Sequence, residues 1–397
     1  MAARAEFILV CLGHATVHIL LGLYLTVVLQ IERAWEMPYD ALIELWTLGA
    51  LLVGIGAPAA GWLSDRWGER PLLVLFFVAS GGASIVCGLA AGPTGLWLGL
   101  ALLGLAASIY HPVALSWIVR RARKQGTAMG IWGVFGSLGI ALASLIAGAL
   151  TGGWDWPAAF VVPGAAAIAL GLALGLCPQP AAAADSEGGD DAADGNGRRD
   201  MVRAFVVLSG TLFTGAIFYA AFTTMLPKWL AGRVFDAADE VSLLGVGTVV
   251  TLVYLAGSSA QIAGGLLTDR LPLKWLYVAT FALKLPLPFI AAALGGWPAM
   301  LVAAAIVFFL DFGAPVENVL LARYSPAHRR GLIYGLKFVL AFAAAPIGVQ
   351  MVAWFYGASG GFNALLLALG ALVVVMLLTA LLLPADRRPS AAAPAAA

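Results

Sequence analysis

Twelve long apolar runs divide the chain, each separated from the next by a short polar break. The runs fall near residues 6–30, 40–63, 71–90, 95–119, 126–150 and 157–177, then near 203–228, 241–267, 274–294, 297–322, 331–354 and 362–383. Each holds about 20 residues, enough to cross roughly 30 Å of hydrocarbon at about 1.5 Å per residue. Their apolar positions are continuous and do not alternate every second residue. That predicts helices and not barrel strands, because lipid cannot satisfy the open backbone groups of an unclosed sheet. The first run has no small-residue cleavage site behind a short core, so it reads as a retained helix.

The longest polar break is "CPQPAAAADSEGGDDAADGNGRRD" (Cys177 to Asp200), rich in Ala, Gly and acids. Such a segment buries too little apolar surface to fold and reads as a flexible linker. The predicted protein is all-α: residues 1–177 form one six-helix bundle and residues 203–385 a second. A cytoplasmic linker over 178–202 joins them, and a disordered tail occupies 386–397.

Composition and charge sharpen this picture. The chain is 62% hydrophobic and 11% charged, which places it in a membrane. With the N-terminus inside, cytoplasmic segments hold seventeen of the 22 Lys and Arg. The opposite side holds Arg33, Lys228 and Arg233, while Lys284 and Lys337 fall within helices. This asymmetry predicts cytoplasmic termini and linker in a bacterial cytoplasmic membrane. The basic clusters are short loops and the net charge is +1, so nucleic acid is not expected as a partner. Cys11, Cys87 and Cys177 have no CxxC spacing and read as packing residues. No nucleophile–base pair or cofactor motif is found, so neither enzymatic activity nor a cofactor is expected, and the chain reads as a monomer.

The polar breaks repeat at half-chain distance. "GWLSDR" (Gly61 to Arg66) returns as "GLLTDR" (Gly265 to Arg270), and Lys274 falls where Arg70 does. "QGTAMG" (Gln125 to Gly130) likewise returns as "RGLIYG" (Arg330 to Gly335). Duplicated halves of this kind mark transporters. Gly61, Leu63, Asp65, Arg66, Gly68 and Arg70 fit G-x-L-x-D-R-x-G-x-R, and on that motif the whole chain resembles the major facilitator superfamily. The resemblance implies a proton-linked or passive carrier working by alternating access. It implies a cavity lined by the first, fourth, seventh and tenth helices, with the second, fifth, eighth and eleventh at the bundle interface. The loop then reads as a conformational latch of Gly61, Asp65, Arg66, Gly68 and Arg70, with Asp269 and Arg270 in the second copy. Asp65 is expected at a helix N-terminus of the partner bundle, where free N–H groups favour an anion. "SIYHPVALS" (Ser108 to Ser116), "GIWGVFGSLG" (Gly130 to Gly139) and His14 further resemble the fosmidomycin-resistance branch of exporters. The fifth helix lacks the glycine–proline motif of drug–proton antiporters.

Polar groups inside the membrane are costly and point to function. His14 and His18 share one helix face at depths of about 12 and 18 Å, and His111 lies at about 13 Å. Imidazoles at one level suit a proton carrier, an anion site or a hydrogen-bonded core pair. No acid stands near them in sequence and the nearest thiol, Cys11, reads as a packing residue, so no metal site is assigned. Pro112 and Pro315 predict breaks in the fourth and tenth helices, flanked by Tyr110, His111, Glu317 and Asn318. Gly133, Gly136 and Gly139 read as close-packing residues at the bundle interface. By depth, Lys284 is expected to pair with Asp311 structurally, and Lys337 with Glu317 near the substrate path.

Three readings follow: a proton-coupled transporter of a small organic solute, with an anion or zwitterion favoured; an uncoupled facilitator or lipid-type carrier; or a transporter-like sensor or assembly factor.

Overall fold

The computed structural model describes residues 2–122, 125–177, 197–235, 242–268, 270–325 and 330–385. Asp269, Arg123, Lys124, Arg329, Arg387, Arg388 and most of the proposed linker lie outside them. Twelve helices are long and apolar enough to cross a membrane: Arg4–Ala34, Tyr39–Trp67, Glu69–Gly88, Pro93–Ile118, Ala128–Gly153, Ala158–Leu176, Arg198–Val234, Leu243–Thr268, Leu273–Ala293, Gly296–Tyr324, Val339–Ser359 and Asn363–Leu381. The seventh begins at Arg198, so residues 198–202, read as linker, are helical. Gly197 precedes its first turn, and Asp200 within that turn complements the helix dipole.

The spans form two six-helix bundles with matching internal packing. The first span packs on the fifth as the seventh does on the eleventh, and the second on the fourth as the eighth does on the tenth. Between bundles, the fifth meets the eighth and the second meets the eleventh. Large apolar side chains such as Leu176, Leu89 and Leu301 point outward, as lipid requires. Exposed Trp62, Trp67 and Trp275 mark one membrane boundary, and Trp154 and Trp297 the other.

The repeated loop residues have repeated work. Arg70 donates to the Leu174 carbonyl at 2.8 Å and to that of Cys177, closing the end of the sixth span. Lys274 donates to the Leu383 carbonyl at 2.6 Å, at the end of the twelfth. A cation on free C-terminal carbonyls neutralises both the dipole and the unmet acceptors. Gly68 turns the chain between the second and third spans at φ 82°, ψ 163°, a conformation nearly restricted to glycine. Gly68→Ala is expected to lower stability by about 1–3 kcal/mol, read as an earlier thermal unfolding midpoint in detergent.

Helix breaks differ from the sequence expectation. The fourth span is interrupted at Ser108–Ile109, where Pro112, having no N–H, cannot donate to the Ser108 carbonyl and crowds it. The tenth runs unbroken through Pro315. The ninth is broken instead at Leu285, ahead of Pro286 and Pro288, which leaves Lys284 at the end of its first segment.

Candidate functional site

The break in the fourth span sets Tyr110 and His111 against the first span. His14, His18 and His111 form a triangle with ring centroids 5.0, 5.3 and 5.4 Å apart. His14 and His111 are buried and His18 nearly so. His14 Nδ1 lies 2.7 Å from the Trp132 carbonyl. A carbonyl only accepts, so Nδ1 carries the hydrogen and Nε2 of the neutral ring offers a lone pair. That Nε2 lies 3.2 Å from His18 Nε2.

Trp132 is the residue the sequence reading missed. Its ring stacks on His14 at 3.8 Å, and its indole N–H donates to Tyr110 Oη at 2.9 Å. Tyr110 in turn donates to the Val10 carbonyl at 2.5 Å. The fifth span is held this close because Gly136 faces the His14 ring; a Cβ there would lie 2.4 Å from it. Gly139 likewise lies against the Ala15 backbone, whereas a Cβ at Gly133 would meet nothing. Gly136 and Gly139 therefore serve packing inside the first bundle, not the bundle interface: their face of the fifth span turns to the first span. Across the boundary, Phe342 of the eleventh span lies 5.5 Å from the His111 ring.

The second bundle holds a half-buried charged network. Lys337 Nζ lies 2.7 Å from Glu317 Oε1 and donates to Asn318 Oδ1 at 2.6 Å. Tyr277 donates to Glu317 Oε2 at 3.2 Å and is linked to Thr211 at 2.9 Å. Depth thus placed Lys337 with Glu317 correctly, but Lys284 does not pair with Asp311. Among the described residues no carboxylate lies within 4.0 Å of Lys284, whose ammonium sits between the Phe218 and Phe281 rings at 4.9 and 5.1 Å. Its electrostatic partner is Glu317. Asp311 faces the eighth span, hydrogen-bonded by Gln261, and a Cβ at Gly257 would meet it at 2.6 Å. Six residues separate Asp311 from Glu317, which turns them about 120° apart on the helix. Depth fixes height and says nothing of azimuth.

The loop after the second span is anchored within its own bundle. Asp65 pairs with Arg120 at the end of the fourth span, 2.8 Å away, and Arg120 also reaches Glu69 at 3.3 Å. Among the described residues the partner of Asp65 is the Arg120 guanidinium of its own bundle, not the helix N-terminus of the partner bundle expected for it. Arg66 lies over the Trp62 ring at 3.9 Å. Gly61 lies in open space beside Pro112, and Arg270 is exposed. Beside this anchor, fully buried Glu6 accepts from Trp117 and Arg121, both at 3.2 Å.

Several polar bonds tie the bundles together at the membrane boundary remote from the termini, while Gln261 of the eighth span donates to Ser137 of the fifth at 3.1 Å nearer the other face. Lys228 of the seventh span pairs with Glu32 of the first. Tyr39 donates to the Thr224 carbonyl at 3.2 Å, and its ring meets Tyr356 at 4.9 Å. Gln350 donates to Thr47 at 2.7 Å and to Glu44 at 3.4 Å. The sequence reading took Lys228 only as a stray exterior cation, since a single charge carries no sign of its partner.

The pattern of the Major Facilitator Superfamily matches residues 10–245 and 232–397. An uncharacterized MFS-type transporter of Mycobacterium tuberculosis is 34% identical over 118 residues, 28% of this chain but only 20% of that relative's length. A Bacillus subtilis protein named "Probable galactarate/D-glucarate transporter GudP" is 26% identical over 378 residues, covering 83% of this chain and 80% of that protein. In fold, the chain is similar to a bacterial homolog of the human lysosomal transporter Spinster, crystallised inward-facing and unoccupied. The TM-score is 0.69 at 18% identity, covering 96% of this chain and 95% of that one. With twelve apolar spans in two like bundles and the family pattern matched along nearly its whole length, the chain belongs to the Major Facilitator Superfamily, whose members are membrane transport proteins and not enzymes.

Proposed function

We propose that the protein is a secondary transporter that moves a small organic solute by alternating access, coupled to protons through its histidine cluster. The observation that carries this reading is the triangle of His14, His18 and His111. It stands at the break of the fourth span and faces the second bundle through Phe342. Imidazoles bind and release protons near neutrality, and His14 already offers a lone pair to His18. Glu317 with Lys337 and Asn318 supplies a second polar group on the opposite bundle, suited to one end of an anion or zwitterion. The excess of Lys and Arg at the terminal side assigns that side to the cytoplasm of a bacterial inner membrane. The contacts through Glu32–Lys228, Tyr39 and Gln350 then close the exterior face. The loop anchored by Asp65 and Arg70 acts as the latch of the cytoplasmic face, and a monomer is the working unit.

The test is flux in proteoliposomes, with and without a pH gradient, after thermal-shift screening of organic acids and zwitterions identifies a ligand. His14→Gln and His18→Gln are each expected to flatten the pH dependence of flux while substrate exchange persists. An unchanged profile in both variants would move the proton to Glu317 or leave an uncoupled carrier.

A further inference from the structure

The three imidazoles of the first bundle have a geometry that hydrogen bonding alone does not require. We infer that His14, His18 and His111 form a binding site for one divalent cation of the Zn²⁺ class, with the fourth coordination position open. Three nitrogens about 2.0–2.1 Å from a tetrahedral ion stand roughly 3.3 Å from one another, and their ring centroids about 5 Å apart. Here His14 Nε2 and His18 Nε2 are 3.2 Å apart, and the three centroid separations are 5.0, 5.3 and 5.4 Å. One nitrogen from each ring lies within 4.8 Å of the other two, so a rotation of the His111 ring completes the set.

The surroundings of His14 are those of a ligand. Metal-bound histidines almost always donate their other ring N–H to a carbonyl or carboxylate, which fixes the tautomer and aims the free nitrogen. His14 does so to the Trp132 carbonyl at 2.7 Å, and the stacked Trp132 ring holds the imidazole plane. Three imidazoles without thiolate favour zinc, nickel or copper over magnesium or calcium. With three neutral ligands, the open position suits an anion such as hydroxide or a carboxylate. The inference stands on this geometry and does not need the triad to carry protons.

The full chain, purified in detergent with any affinity tag removed and metal stripped by chelator, is titrated with Co²⁺ and then Zn²⁺. One Co²⁺ per chain is expected, with the intense visible bands of a four-coordinate ion, which Zn²⁺ abolishes. His14→Ala, His18→Ala and His111→Ala are each expected to weaken binding about 100-fold or more. His328→Ala, at the remaining histidine of the sequence, leaves it unchanged. X-ray absorption of the Zn²⁺-loaded wild type serves if the variants fail to fold, and three imidazoles in the first shell are expected. A shell of oxygen or sulfur without imidazole, absent stoichiometric binding, or binding untouched by the triad variants would overturn the site.

Discussion

Glu317→Gln is expected to cost about 3–5 kcal/mol, a large fraction of the whole stability of a folded chain. Among the described residues, Glu317 is the carboxylate that answers one fully buried ammonium, Lys284, and one half-buried ammonium, Lys337. Lys337 pairs with it directly at 2.7 Å, and Lys284, sealed between two phenylalanine rings, depends on it across a longer gap. Neutralising it leaves the buried Lys284 without a counter-charge and Lys337 with Asn318 alone, and stranding a buried charge costs far more than its pair contributes. Lys337→Met is expected to be milder, because Glu317 keeps Tyr277 as donor and Lys284 as counter-charge. Combining Glu317→Gln with Lys284→Met should recover part of the loss, whereas Asp311→Asn should recover none, since Asp311 faces the eighth span. Thermal unfolding of the detergent-purified variants measures this. A Glu317→Gln protein as stable as Lys337→Met, or one rescued by Asp311→Asn, would refute the assignment.

This network also marks what was legible in the sequence. The twelve spans, the half-chain repeat and the level of the histidines follow from run length and rise per residue, which the bilayer constrains tightly. The shared position of Arg70 and Lys274 was visible as a repeat, although their task of capping a helix end was not. What stayed hidden was direction around each helix axis. Lys284 and Asp311 lie at matching depths and face different neighbours. Trp132 reads as one more aromatic in an apolar run, although its carbonyl orients His14. Glu32 and Lys228 are 196 residues apart, and nothing local pairs them. Prolines were equally ambiguous: Pro112 lies just past a break in its helix, whereas Pro315 lies inside a continuous one.

Enlarging Gly247 is expected to open the membrane face remote from the termini. At that end the fifth and eighth spans touch backbone to backbone. A Cβ at Gly247 would stand 2.2 Å from the Ser144 carbonyl oxygen, and one at Gly148 would stand 2.3 Å from that of Leu243. Thr251 donates across the same seam to the Ala141 carbonyl at 2.6 Å, and within the first bundle Thr26 of the first span donates to Ser144 Oγ at 2.8 Å. Close approach of small residues is the main attraction between helices in lipid, where apolar surface gains nothing by leaving its surroundings. Backbone atoms on the facing helix cannot swing aside as a side chain can, so Gly247→Val must part the two spans. Overpacking of about 1–3 kcal/mol would shift the balance between end states by roughly 5–150-fold towards the form open on that face. Spin labels at positions 152 and 244, near the ends of the fifth and eighth spans, report the change as a longer distance distribution in Gly247→Val than in the parent. Gly133→Val, where a Cβ has no neighbour within 4 Å, is the matched control and should leave the distribution in place. A folded Gly247→Val protein with the parent's distances would show that this seam does not hold the bundles together.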